Sequence, residues 1–208
     1  MKSVVVGVHL AREDVEPIAD VIGVGDVWLS VVGIHDDQPV GDRDLLVRIA
    51  KVRAELLQRA TFVAVRYGFA VSSAAEALAK SAVHLERWKG LLEQNRGNVE
   101  MTLKVAATSS QARPDRKQFE SGAEYLKALH AATQSTQVDG AFREAAERAM
   151  NAVEHRWIHR DNNSMELAAL VQRANVDSVL AAGETLKREF PRVAFLLSGP
   201  WPLEVFAS

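Results

Sequence analysis

The sequence predicts an α+β protein of two domains, an N-terminal small α/β domain over residues 1–97 and a C-terminal βαββαβ domain over residues 98–208. Three observations predict it. β-branched apolar runs recur between stretches of helical periodicity. Gly, Pro and Asn/Asp clusters punctuate those runs. After Gly97 the patterns follow the order strand, helix, strand, strand, helix, strand. The chain has 208 residues, more than the roughly 100–150 of a typical single domain. With 48% hydrophobic and 25% charged residues it has the composition of a globular protein and not of a disordered one.

In the first half, Val4–Leu10 and Val27–Ile34 read as strands separated by Pro17, Gly23 and Gly25. Leu45, Ile49, Val52, Leu56 and Ala60 recur at helical spacing behind Asp42, whose carboxylate is placed to cap the first turn. Thr61–Arg66 is a short β-rich run that stops at Tyr67-Gly68. Ser72 or Ser73 caps a second helix carrying Leu78, Ala82, Leu85, Trp88 or Lys89, and Leu92, and Gly97 suits its C-terminal end.

In the second half, Val99, Met101, Leu103 and Val105 alternate with Glu100, Thr102 and Lys104, the pattern of a half-buried strand. A polar loop over 109–117 follows, then Phe119, Ala123, Leu126 and Leu129 on one helix face and Phe142, Ala145, Ala149 and Val153 on another. Glu154–Arg160 and Met165–Gln172 form a hairpin across Asp161-Asn162-Asn163-Ser164, residues that favour tight turns. Asn175 caps a helix with the stripe Val176, Val179, Leu180, Leu186 and Phe190, and Pro191 ends it before the strand Val193–Leu197. This order is the ferredoxin-like split βαβ arrangement, with both crossover helices on one sheet face. The opposite face then carries Thr102, Lys104, Ala168, Leu170, Ala194 and Leu196, and is partly apolar. Either the rest of the chain covers it or it is a partner surface.

Several function classes are excluded. The formal net charge is only -2 with both signs interspersed, so no field attracts nucleic acid or anionic lipid. Arg87, Lys89 and Arg96 around Trp88 are neutralised by Glu86, Glu93 and Glu100. No apolar run reaches the roughly 20 residues that cross a bilayer, and the cysteine count of zero suits a reducing compartment, so the expected location is the cytoplasm. No P-loop, dinucleotide fingerprint, GxSxG or HExxH occurs. The best metal candidate, His155 with His159, sits in a predicted strand, where a four-residue separation spans roughly 13 Å and prevents chelation. His9, His35, His84 and His130 have no recognisable acid or nucleophile beside them. The adjacent acids Glu13-Asp14 and Asp36-Asp37 point apart and suit loop solvation. The absence of these motifs counts against catalysis.

Two stretches stand out physically. In Phe62-Val63-Ala64-Val65-Arg66-Tyr67-Gly68 an arginine and an aromatic close a buried strand at a glycine that permits a sharp turn; a structural ion pair is the simplest use of Arg66. In Leu197-Ser198-Gly199-Pro200-Trp201-Pro202-Leu203-Glu204-Val205-Phe206 the prolines rule out a helix or a central strand, which leaves a stiff strap. Trp201 and Phe206 then dock that strap on the body of the protein or on a partner. Together these stretches resemble the gas vesicle accessory protein family of the F and L type. Its members carry an apolar–x–Pro–Val–Arg–Phe–Gly segment and a Gly-Pro-Trp-Pro–x–x–x–Phe ending. Val65, Arg66 and Gly68 match the first motif, and Gly199, Pro200, Trp201, Pro202 and Phe206 match the second. Val99–Val105 and Leu167–Val171 are weaker matches in the same order; Ala64 stands where the family has Pro, and Tyr67 where it has Phe.

The resemblance implies a minor protein of gas vesicle formation, cytoplasmic and gas vesicle associated. Its implied partners are the main shell protein and other accessory gas vesicle proteins. It also implies a ferredoxin-like second domain and neither enzymatic activity nor a cofactor. Shell subunits that are small and hydrophobic need shielding before assembly, and Ala168, Leu170 and Leu196 are the candidate contacts. The runner-up is a ligand-sensing or regulatory module, since fold alone does not fix function. A third reading is an enzyme using His155, His159 and nearby acids. Oligomeric state is not encoded in any of these features.

Overall fold

The structure is a computed structural model that describes residues 2–10, 15, 18–35, 39, 41–106, 115–134, 138–160, 164–204 and 206, without the side chains of 130–134. Glu13, Asp14, Pro17, Asp36, Asp37, the turn residues Asp161, Asn162 and Asn163, Val205 and most of the polar loop lie outside the described residues, as does the side chain of His130. The chain forms two mixed α/β sheet regions and divides into two compact units, Met1–Glu100 with Pro200–Ser208, and Met101–Gly199. The sequence attaches residues 200–208 to the second domain; in the structure they group with the first.

In the first unit, β1 (Lys2–His9) lies between β3 (Val27–Ile34) and the two-residue β4 (Val63–Ala64), β2 (Asp20–Val24) flanks β3, and β5 (Ala70–Val71) also pairs with β1. The run Val4, Val5, Val6, Val8 is buried, as expected for a strand flanked on both edges, and its register against β3 shifts between Val5 and Gly7. Gly7 is required by close packing: a Cβ there would lie 2.4 Å from Cδ2 of the buried Phe62 ring. Neither β2 nor β5 was expected. Gly23 and Gly25 read as punctuation, yet only Gly25 (φ 59°) turns the chain, while Gly23 sits inside β2 under the Trp28 ring.

Helix α1 (Arg43–Arg59) starts where Asp42 accepts the Leu45 N–H at 3.0 Å, and buries Leu45, Ile49, Leu56 and Leu57. Each such side chain contributes about 1.5–3 kcal/mol relative to an exposed one. The expected second helix is two, α2 (Ala74–Ser81) and α3 (Leu85–Gln94), broken by a 3-10 turn over Ala82–His84. Its predicted stripe is therefore split: Leu92 is buried, whereas Leu78 is exposed. Ser73 caps α2 by accepting the Glu76 N–H at 3.2 Å. The Glu76 carboxylate accepts from the ammonium of Lys80 (2.7 Å) and from the hydroxyl and N–H of Ser72. Lys80 and Ser72 together hold this carboxyl down to about 2.

In the second unit the sheet order is β7-β8-β6-β9, built from β6 (Asn98–Ala106), β7 (Glu154–Arg160), β8 (Ser164–Gln172) and β9 (Phe195–Trp201). The hairpin β7–β8 is antiparallel, with Trp157 opposite Leu167. Helices α4 (Gly122–Gln134), α5 (Gly140–Met150) and α6 (Val176–Glu189) complete the unit, and Phe142 meets Phe190 and Phe195 edge-on or tilted at 5.3 and 5.4 Å. Gly183 lets α6 approach β9, because a Cβ there would lie 2.5 Å from Cδ2 of Leu197.

Four expectations change here. Asn175 makes no side-chain cap; a 3-10 turn over Arg173–Asn175 leads into α6 and the Val176 N–H bonds to the Arg173 carbonyl. β9 continues through Pro200, which a strand at the edge of the sheet tolerates because the missing N–H leaves no ladder bond broken. The back face is covered in part: Thr102, Ala168 (0% exposed) and Leu170 (2%) are buried, whereas Lys104, Ala194 and Leu196 are exposed. β6 is not half-buried over its first part, since Glu100 and Thr102 are buried along with Val99, Met101 and Leu103. Among the described residues no helix is long and apolar enough to cross a membrane.

The Glu76 network supplies a test of local electrostatics. A carboxyl depressed in the folded state adds stability that is full above its unfolded value of about 4.5 and is lost as pH falls through the folded value. NMR titration should give Glu76 a midpoint near 2, moving up in Lys80→Ala; a midpoint near 4.5 in the unaltered protein would contradict the network.

Candidate functional site

The two sequence motifs, separated by more than a hundred residues, converge in the first unit. The Leu203 N–H donates to the Phe62 carbonyl at 3.0 Å, and Val63 and Leu203 form a parallel bridge. The strap thus runs beside the segment that leads to Arg66. Pro202, Leu203 and Phe206 are buried, whereas Trp201 remains 46% exposed. The expected pair of aromatic anchors is therefore divided: Phe206 docks, the indole stays accessible, and Leu203 is an anchor that the sequence did not single out.

Glu100 fastens the strap. It is 2% exposed, and its Oε1 accepts the backbone N–H groups of Glu204 (2.8 Å) and Phe206 (2.9 Å). A buried carboxylate needs donors to replace its lost hydration, and hydrogen bonds to an ionised acceptor are about twice as strong as neutral ones. The strap cannot supply a regular ladder through Pro200 and Pro202, so two of its N–H groups reach a side chain instead.

Arg53, from α1, is the second missed residue. Its Nε donates to the Val6 carbonyl at 3.2 Å and its Nη2 to the Val65 carbonyl at 2.7 Å, tying β1 to the end of the first motif. Burial lowers the pKa of this guanidinium, and the Glu204 carboxylate opposes that shift. Strand exit, strap and helix therefore share one polar cluster: Arg53, Glu100 and the backbone of Val65, Glu204 and Phe206. Thr61 joins its rim, donating to the Asn98 carbonyl and accepting the Gly97 N–H.

The remaining motif positions have local reasons. Gly68 (φ 96°) and Gly199 (φ 129°) hold backbone conformations that L side chains rarely adopt. Val65 is buried. Arg66 is exposed, and its side chain forms no hydrogen bond or ion pair among the described residues, so the expected structural ion pair is absent there. The buried, bonded arginine is Arg53.

Elsewhere, His9 is 0% exposed and shares a 2.8 Å hydrogen bond with Ser30, a satisfied core histidine. His155 and His159 both lie in β7; His155 is 3.8 Å from Glu147, and no group of three or more His, Asp or Glu among the described residues could hold a metal ion. Burial pushes the Glu147 carboxyl up, but the Trp157 indole N–H, Arg143 and His155 outweigh it and hold it below its ordinary value. Glu166 is buried against a bidentate Arg160, with Nε at 3.1 Å and Nη2 at 2.8 Å. Lys89 bonds Asp26 at 2.6 Å and is not part of a basic surface. Of the three candidate contacts, Leu196 is 62% exposed, and Ala168 and Leu170 are buried.

The family model described as "Gas vesicle synthesis protein GvpL/GvpF" matches residues 16–207. Among solved structures, the chain is similar to the gas vesicle protein GvpF from Anabaena sp. PCC7120, with a TM-score of 0.68, 12% identity, and coverage of 100% of this chain and 98% of that one. It is similar also to gas vesicle protein GvpF from Microcystis aeruginosa, with a TM-score of 0.72, 11% identity, and coverage of 100% and 99%. At such identities the likeness speaks to fold. No curated protein matches the chain.

Removing the Glu100 carboxylate should strand both strap donors. Glu100→Ala is expected to lower stability by roughly 1–3 kcal/mol for the buried Phe206 N–H left unpaired, and by less for the part-exposed Glu204 N–H, read as a fall in the urea midpoint, with Glu100→Gln losing less. An unchanged midpoint for the alanine variant would remove Glu100 from this role.

Proposed function

The chain belongs to the GvpL/GvpF family of gas vesicle synthesis proteins, and from that premise we propose that it is a non-enzymatic accessory factor of gas vesicle assembly, acting in the cytoplasm. Its partners are the hydrophobic shell protein and other accessory gas vesicle proteins. The family match over nearly the whole chain is the observation that carries this reading.

The architecture supports a binding role. The strands of the second unit stand in the order second, third, first, fourth, which supports assigning this unit to the ferredoxin-like class. On this reading the N-terminal α/β domain spans residues 1–97 and the C-terminal domain, with its Pro/Trp tail, spans residues 98–208. The motif residues Val65, Gly68, Gly199, Pro200, Pro202 and Phe206 build the strap anchor, and Arg66 and Trp201 are the motif side chains left accessible to a partner. Leu196 is the exposed member of the proposed contact set, and Ala168 and Leu170 are its buried members. A large aliphatic side chain held open on a sheet edge suits a transient contact with an apolar subunit.

Co-expression with a tagged shell protein tests the reading. The unaltered chain should co-purify, and Leu196→Asp should reduce capture several-fold with an unchanged circular dichroism spectrum. Undiminished capture of the folded variant would exclude Leu196 from the contact surface, and failure of the unaltered protein to co-purify would contradict shell-protein binding.

A further inference from the structure

The back face of the second unit sets a lysine beside its exposed leucine. Leu197 packs toward α6 at Gly183, so its neighbour Leu196 points to the opposite face of β9, where it is 62% exposed. Across the strand pair, the Ala106 N–H donates to the Ala194 carbonyl at 3.0 Å and the Ser198 hydroxyl to the Thr102 carbonyl at 3.4 Å. Both bonds fit a single antiparallel register of β9 against β6, which places Lys104 opposite Leu196. Directly opposed side chains of paired strands stand about 5 Å apart.

Lys104 is held loosely. Its ammonium lies 3.9 Å from Oε2 of Glu166, and 59% of its side chain is exposed. Glu166 is satisfied without it, because the Arg160 guanidinium bonds both carboxylate oxygens, at 3.1 and 2.8 Å. Lys104 can therefore swing away without leaving a buried carboxylate uncompensated, the event that makes breaking a buried ion pair costly. Other lysines are committed to closer partners: Lys89 to Asp26 at 2.6 Å, and Lys80 to Glu76 at 2.7 Å.

We propose that Leu196 and Lys104 together receive an amphipathic helix of a partner protein, one that carries a carboxylate one turn away from an aliphatic side chain. The aliphatic group lies on Leu196 and the carboxylate on the Lys104 ammonium, while Glu166 stays with Arg160. Residues four apart on a helix rise about 6 Å, which matches the roughly 5 Å between opposed side chains of two strands. A segment laid on the face of a sheet finds no ladder there for its backbone, and a helix satisfies its own N–H and carbonyl groups. The cation adds selectivity more than affinity: a helix with lysine in place of the carboxylate meets like charge at Lys104. The proposal rests on the reading of Leu196 as a contact residue and specifies the chemistry of what it contacts.

The test is titration of the full chain, followed by ¹⁵N NMR, with an alanine-rich helical peptide that carries one leucine and, four residues on, one glutamate. The same peptide with glutamine for the glutamate is titrated beside it. The glutamate peptide should shift the amide signals of Leu196 and Lys104 and bind roughly two- to fivefold tighter than the glutamine peptide, the range of an exposed ion pair. Lys104→Gln should erase that difference, and Leu196→Ala should weaken both peptides, each variant keeping the rest of the spectrum. Equal binding of the two peptides to the unaltered chain, with Leu196→Ala still weakening both, would overturn the proposal and leave Leu196 as a purely apolar contact. Binding that ignores Leu196→Ala, or no binding at all, would overturn it together with the contact role of Leu196.

Discussion

A carboxylate withdrawn from water must find its hydrogen-bond donors within the protein, and Glu100 finds them in the backbone of the last few residues of the chain. Much else is arranged around that constraint. Pro200 and Pro202 leave the strap short of N–H groups for an ordinary ladder. Gly199 holds a positive φ within β9, and Leu203 bridges to Val63 while Phe206 is buried. The strap in turn lies beside the stretch that ends in Arg66 and Gly68. Arg53 ties that stretch to β1. The terminal segment, which looks in the sequence like an appendage, is a packed component of the first unit.

This arrangement gives a physical account of why two short motifs accompany each other. One supplies a carbonyl, a strand edge and a left-handed glycine; the other supplies a donor, two apolar anchors and prolines that keep it extended. Neither is complete alone. The motif residues split into those that build the anchor and those, Arg66 and Trp201, that the anchor holds at the surface. For a family of gas vesicle synthesis proteins, a rigid mount for an exposed guanidinium and an exposed indole is consistent with a role in binding other proteins.

Much of the fold was legible because local patterns and tertiary packing agree. The stripe from Leu45 to Leu56 behind Asp42 announces α1, and the turn-forming Asp-Asn-Asn-Ser run between two β-rich stretches announces the β7–β8 hairpin. What escaped was set by distant partners. β2 and β5 are five and two residues long and are stabilised by β3 and β1, so neither shows a pattern of its own. The alternation of β6 suggested a wet face, yet Glu100 is buried because a segment a hundred residues later donates to it. The same blindness hid Arg53, whose sole sequence signal is a charged residue one position from an apolar stripe. Ala168 and Leu170 were legible as apolar, but whether they were covered was not, because period-2 alternation specifies a face without saying what covers it; both are buried.

Amide hydrogen exchange across the strap tests the central claim most directly. If Glu100 and Phe62 hold the strap, the N–H groups of Leu203, Glu204 and Phe206 exchange as slowly as those of the neighbouring Val63 and Val65 stretch. Exchange of the three strap amides at the rate of an unprotected chain, with Val63 and Val65 still protected, would show that the strap is not anchored and would contradict the account.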